Sequence, residues 1–246
     1  MKIFTILFFF LTTQAFSQKK DANFYVNAAE KDWSDGKMKR AYENYYKAAE
    51  LSKNYLYYIK AAEAYCFGHN SSKDKTKETI ENLYNKSFQL KEWNTEGLLS
   101  RAEYNRFMAR YESVFSDLDS LIKRDSTCLD AYLLKASTHL EKRDTTNGFR
   151  TYYLATKKAP KDKLAKVYLE QGGDCYIRNL WPKCIDSYLK ALELIGETNF
   201  KTFHYCNLSS AYSNMGDMTK ACKFFKFCDK RPGLKDKDIL IKTCGQ

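Results

Sequence analysis

A spacing of twenty residues recurs along this 246-residue chain and constrains its fold more than any other feature. It separates Tyr25 from Tyr45, Leu98 from Leu118, Tyr132 from Tyr152, Tyr168 from Tyr188 and Tyr205 from Phe225. Tyr58 and Tyr84 obey it once six inserted residues are set aside. The pairs themselves repeat at intervals of about 34 residues, a period that marks stacked helix pairs. Each pair is too small to bury its own apolar face and relies on its neighbours.

The residues around these positions fit that reading. The first large residue of each pair is followed four positions later by a small one: Tyr25/Ala29, Tyr58/Ala62, Leu98/Ala102, Tyr132/Ala136, Tyr168/Gly172 and Tyr205/Ser209. A four-residue step puts both on one helical face. The small residue admits a second helix, which presents its own small residue in Ala41, Val114, Gly148, Cys184 or Ala221. Seven positions further on stand Ala48, Leu121 (the larger exception), Ala155, Ala191 and Cys228, with Ser87 matching them in the second repeat. Large-into-small packing of this kind gives tight helix pairs. Asp35-Gly36, Asn179 and Gly216-Asp217 fall where the chain must leave helical geometry. Pro182 falls in a first helical turn, where a missing N–H costs little.

Gly216-Asp217-Met218-x-x-Ala221-x-x-x-Phe225 and Ile185-Asp186-Ser187-Tyr188-Leu189-Lys190-Ala191-Leu192-Glu193-Leu194 resemble the signature of the tetratricopeptide repeat (TPR) family. The resemblance covers about 22–235 and implies an all-α, right-handed superhelical solenoid of about six helix–turn–helix repeats. Their expected bounds are about 22–55, 55–94, 95–128, 129–162, 165–198 and 202–233, within a solenoid at 18–233. The second repeat departs from the pattern, since His69 to Lys77 holds an insertion and Ile80 replaces the small residue. A longer loop is expected there, with a local kink. Residues 234–246 are expected to cap the final apolar face, with Ile239, Leu240 and Thr243 on one side of a short helix.

The N-terminus reads as a cleaved export signal. Lys2 precedes the apolar run Ile3 to Leu11, and Ala15-Phe16-Ser17 offers small residues where a signal peptidase reads. Cleavage is expected after Ser17, and the run is too short to cross a bilayer. The mature chain is expected in the periplasm or outside the cell, with no membrane span. Few prolines and glycines and no Ser/Gly/Pro-rich linker interrupt the rest, which reads as one helical domain. The formal charge of +11 would suit nucleic acid, but the lysines are scattered among acids and export separates the chain from most nucleic acid.

Chemistry is sparse. His69, His139 and His204 form no metal-ligand spacing, and neither a nucleophile elbow nor a phosphate-binding glycine loop occurs. A non-enzyme without cofactor or metal is expected. Eight cysteines include no C-x-x-C. Ala221-Cys222-Lys223 followed by Cys244 is similar to the ending of many secreted bacterial repeat proteins, and that resemblance implies a Cys222–Cys244 staple between cap and stack. Cys184 and Cys228 read as compact hydrophobes in small-residue slots. Pairing among the six other cysteines stays open.

In a solenoid of this family the first helices line the concave face. Residues one, five and eight beyond each core aromatic then point the same way. They include Leu99, Leu133, Leu169 and Cys206; Glu30, Glu63 and Glu103; and Trp33, Arg106 and Tyr176. An apolar floor with acids suits a peptide carrying basic residues. Trp, Tyr and Arg are the types enriched at hot spots. Val26, Ile59 and Leu99 stand where the family's carboxylate clamp needs Lys, so a cytosolic chaperone-adaptor is not expected. The expected function is an exported scaffold that binds a protein or peptide segment in its concave groove for envelope complex assembly. The rivals are a structural subunit using its ends or convex face, and a glycan- or peptidoglycan-binding accessory.

Overall fold

The computed structural model describes residues 21–69, 73–228 and 237–244. The expected leader, residues 1–17, lies outside them. The described residues form thirteen α-helices and one 3-10 turn, Lys161–Lys163. They fall into two compact units that meet in sequence between Glu92 and Trp93. Composition carries no linker at that point.

The first unit holds α1 (Ala22–Ser34), α2 (Met38–Ser52), α3 (Tyr55–Gly68) and α4 (Asp74–Leu90), each packed on the next. Asp21 caps α1 by accepting from Phe24 N at 2.8 Å, and Asn54 caps α3 through Leu56 N at 3.0 Å. Most of the expected core face is buried, at Ala29, Ala41, Tyr45, Ala48, Tyr58, Ala62, Tyr84 and Ser87, while Tyr25 on the first helix is half-buried. Ile80 is fully buried where other repeats carry a small residue. A polar network joins three helices. Lys86 donates to Glu50 Oε1 and to Tyr46 OH, both at 2.8 Å, and Tyr58 OH donates to the same Glu50 oxygen at 2.8 Å. Hydrogen bonds from Lys86, then Tyr58 and Lys53, hold the Glu50 carboxyl down at about 2.

The second unit holds α5 (Thr95–Phe107), α6 (Tyr111–Arg124), α7 (Leu129–Glu141), α8 (Thr145–Lys158), α9 (Leu164–Ile177), α10 (Trp181–Asn199), α11 (Thr202–Asn214), α12 (Met218–Phe225) and α13 (Lys237–Cys244). Helices pack in sequential pairs, and the first helices also stack on one another, α5 on α7, α7 on α9 and α9 on α11. Tight approach is visible at Gly172, where an added Cβ would stand 2.9 Å from the Tyr188 ring. At Gly148 the same atom would stand 2.5 Å from Leu140 Cδ2. The α10 backbone breaks at Gly196, whose φ is 71°.

The turns share one device. Gly36, Ala109, Arg143, Asn179 and Gly216 all have positive φ. In each case the next residue's N–H reaches back five positions to a helix carbonyl, as in Lys37 N to Asp32 O at 2.7 Å and Arg110 N to Asn105 O at 2.8 Å. This is the left-handed closure that satisfies end carbonyls. The second repeat lacks it: His69 follows α3 in an extended conformation, and α4 begins at Asp74, within the stretch expected as an inserted loop.

The C-terminal end differs from expectation in two details. Leu240 is fully buried, and Ile241 and Cys244 pack beside it, but Ile239 is 55 % exposed. Residues 240, 241 and 244 share the inner face by helical spacing, so Ile239 and Thr243 turn outward. The sulfurs of Cys222 and Cys244 lie at bonding distance, and so do those of Cys206 and Cys228. Cys206 therefore does not belong to a groove row, and Cys228 is not a lone compact hydrophobe. The chain past α12 brings Cys228 within a Cα separation of 4.8 Å of Cys206 on α11. Cys175 and Cys184 stay free and buried, and burial pushes the Cys175 thiol up to about 12.

Candidate protein-interaction surfaces

The residues expected on the concave face divide between the two units. In the first, Glu30 is exposed on α1, while Glu63 on α3 is half-buried and paired with Lys60 at 2.8 Å. Trp33 sits at the end of α1 with its ring edge-on to Tyr45 at 6.5 Å and to Phe67 at 5.9 Å. Phe67 itself is 71 % exposed.

In the second unit, Glu103 and Arg106 line one surface hollow of about 390 Å³ with Phe107 and Glu141. Phe107 is the last residue of α5, so the helix gives it few neighbours and leaves it 71 % exposed. Arg106 Nε donates to Glu141 Oε2 at 2.7 Å, and Tyr111 OH donates to Glu141 Oε1 at 3.0 Å. Burial works against the Glu141 anion. The hydrogen bonds from Arg106 and Tyr111, with the charges of Arg106 and Arg178, outweigh it and hold the carboxyl below its ordinary range. Arg106 is thus paired with Glu141, and Glu103 and Phe107 are exposed beside that pair.

The charges continue onto α9. Arg178 Nη1 donates to Asp174 Oδ1 at 2.9 Å, Ser137 Oγ to the same oxygen at 3.0 Å, and Tyr152 OH to Asp174 Oδ2 at 2.5 Å. Burial and the Asp174 carboxylate keep the Tyr152 hydroxyl protonated far above its ordinary range. Arg106, Glu141, Arg178 and Asp174 form a line of alternating charge across α5, α7 and α9. The sequence reading missed Glu141, Arg178 and Asp174. The signal was there: Arg106 to Glu141 spans 35 residues and Ser137 to Asp174 spans 37, one repeat each.

The remaining expected residues are placed less openly. Leu133 is 7 % exposed and packs with Leu129, Tyr132 and Val167, which leaves little of it for a partner. Leu99 is half-buried. Leu169 and Tyr176 are half-buried against the core that runs into α10 and α11, and Tyr176 stands edge-on to Trp181 at 5.8 Å. Among the described residues no cluster of three or more His, Cys, Asp or Glu gathers as a metal site would. No described helix is long and apolar enough to cross a membrane.

No family model matches the chain. No curated protein matches it in sequence. Solved structures do resemble it. A tetratricopeptide repeat protein from Parabacteroides merdae aligns with a TM-score of 0.51 at 12 % identity, covering 83 % of this chain and 77 % of that one. The C-terminal part of a TPR repeat-containing protein from Cytophaga hutchinsonii aligns at 0.54 and 16 % identity, covering 89 % and 79 %. The Cut9–Hcn1 hetero-tetramer of APC/C aligns at 0.59 and 11 % identity, covering 92 % of this chain and 43 % of that chain. With those alignments added to the helix pairs, the large-into-small cores and the left-handed turns, the chain has the tetratricopeptide-repeat fold.

Proposed function

We propose that this chain is a non-catalytic scaffold that binds a protein segment on the faces of its first helices. The observation that carries the reading is the hollow around Phe107. An exposed aromatic ring lies among two acids, Glu103 and Glu141, and one lining cation, Arg106, which is paired with Glu141. That combination suits a basic segment bearing one apolar side chain. The fold is shared with a component of a hetero-tetramer, which is consistent with a role in assembly. Export to an oxidising envelope compartment belongs to the same proposal, supported by the leader-like sequence of residues 1–17 and by two cysteine pairs at bonding distance.

The test is a binding titration with a short Lys/Arg-rich peptide containing one Leu or Phe. Glu103→Lys with Phe107→Ala should weaken binding at least about tenfold while the fold stays intact. Unchanged binding by that variant removes the hollow from the function. A triple substitution of Trp33, Arg106 and Tyr176 in the exported protein then separates the groove from a purely structural role, since native assembly that survives it favours the ends or convex face.

A further inference from the structure

We infer that the first unit carries a second docking site, of opposite charge, for an acidic peptide segment of a partner protein with one large apolar side chain. The inference is independent of the reading above, because it concerns other residues in the other unit.

A hollow of about 370 Å³ lies where the end of α3 meets the start of α2, and Lys37, Lys39, Arg40, Phe67 and Gly68 are among its lining residues. Gly68 borders it: an added Cβ there would stand 3.0 Å from Lys39 N, so a larger residue would have to push the start of α2 aside by a few tenths of an ångström. Phe67 leaves most of its ring in solvent at this rim, braced edge-on by Trp33. An aromatic held by a second aromatic keeps its orientation, and that lowers the entropy cost of binding.

The charges are unequal. Lys37 is paired with Asp35 at 2.8 Å, and Arg40 reaches Asp32 at 3.6 Å with most of its side chain exposed. Asp32 is buried and also accepts from Asn44 Nδ2 at 3.0 Å, so it is shared between two donors. Lys39 is exposed. No carboxylate is among the lining residues. The hollow is therefore a cationic rim around an aromatic surface. Its complement is a segment with carboxylates spaced around an apolar side chain, and the chain's formal charge of +11 adds long-range attraction to such a partner.

The probe is an Asp/Glu-rich peptide with one central Phe, titrated into the full chain and followed by calorimetry. Its controls are the same peptide with Ala for Phe, a Lys-rich peptide, and polyglutamate. The native chain should bind the Phe peptide at least about tenfold more tightly than its Ala control. Lys39→Glu with Arg40→Glu should abolish that binding, and Phe67→Ala should bring the Phe peptide down to the affinity of its Ala control. Phe67 is exposed, so its removal leaves the core unchanged and the result readable. No binding, equal affinity for polyglutamate, or insensitivity to Phe67→Ala would overturn the site and leave only general attraction to polyanions.

Discussion

The first unit and the far end of the second hold their helices together by different means. In the first, Glu50 gathers Lys86, Tyr58 and Lys53 around one carboxylate, and Lys86 lies 4.8 Å over the Tyr46 ring. In the second, the far end is closed by covalent bonds. Cys206–Cys228 and Cys222–Cys244 interleave in sequence, so neither loop encloses the other. The contrast follows from helix length. α2, α3 and α4 run for 15, 14 and 17 residues and offer long faces on which polar side chains can converge. α12 and α13 are eight residues each, too short to be stable alone. An end with little apolar surface to bury gains most from cross-links.

The largest effect that would break this comparison is loss of the cross-links. Each closes a loop of sequence separation 22, for which the chain-entropy model gives about 3 kcal/mol. Cys222→Ser with Cys244→Ser should free α13, uncover Phe224 and Phe225, and expose Cys175 and Cys184 to alkylating reagent. Those two thiols are otherwise buried and protonated, hence slow to react. Mass spectrometry after brief alkylation measures this. Unchanged protection of Cys175 and Cys184 in the variant would show that packing alone holds the end.

Acid should separate the units next. His204 is buried among Tyr188, Phe200 and Phe203, with Lys201 nearby. Burial first, and the Lys201 charge second, lower its pKa from 6.5 to about 4. The unfolded chain then takes up the proton before the folded one. The contribution is complete above pH 6.5 and is lost as pH falls toward about 4, an effect on the order of 2 kcal/mol. Glu50 is also depressed, from 4.5 to about 2, so its contribution is present above pH 4.5 and lost only as pH falls toward 2. Its side chain is 37 % exposed, and solvent screening limits the effect to about 1 kcal/mol. Hydrogen exchange resolved by segment should therefore show α10 and α11 loosening near pH 5 while α2 to α4 remain protected. His204→Phe should remove the early loss, and simultaneous loosening of both units would contradict the assignment.

The two hollows are a finer version of the same contrast. Phe67 and Phe107 occupy the same register, nine residues beyond Tyr58 and Leu98, and each is exposed in the last turn of a first helix. Their surroundings differ because they draw on different neighbours. Phe107 meets Glu141, from the repeat after it, whereas Phe67 meets Lys37, Lys39 and Arg40, from the repeat before it. The fold was legible in the sequence because it depends on spacing: a large residue and a small one four apart report a helix face whatever the partner helix does. The sites were less legible because they depend on which repeats are neighbours and where chains end. Leu133 and Leu99 are alike in sequence, and only packing shows that Leu133 lies in the core. Cys206 and Cys228 looked unrelated, being spaced like any two helix positions, until the turn after α12 brought them together.

The smallest expected effect tests the turns, where sequence and geometry disagree most. Gly36, Asn179 and Gly216 announce left-handed closures, but Ala109 and Arg143 adopt the same conformation with φ of 54° and 61°. A Cβ in that region meets the following carbonyl, a strain of about 1 kcal/mol that glycine does not carry. Ala109→Gly and Arg143→Gly should each stabilise the second unit by about 0.5 kcal/mol, after subtracting glycine's greater freedom in the unfolded chain. Gly36→Ala in the first unit should destabilise by a similar amount, although nothing lies within 4 Å of the added atom, because backbone conformation alone opposes it. Denaturant midpoints for the three variants at constant slope measure these shifts. If Ala109→Gly and Arg143→Gly destabilise while Gly36→Ala does so as expected, the second unit's turns are held by something other than their own hydrogen bonds.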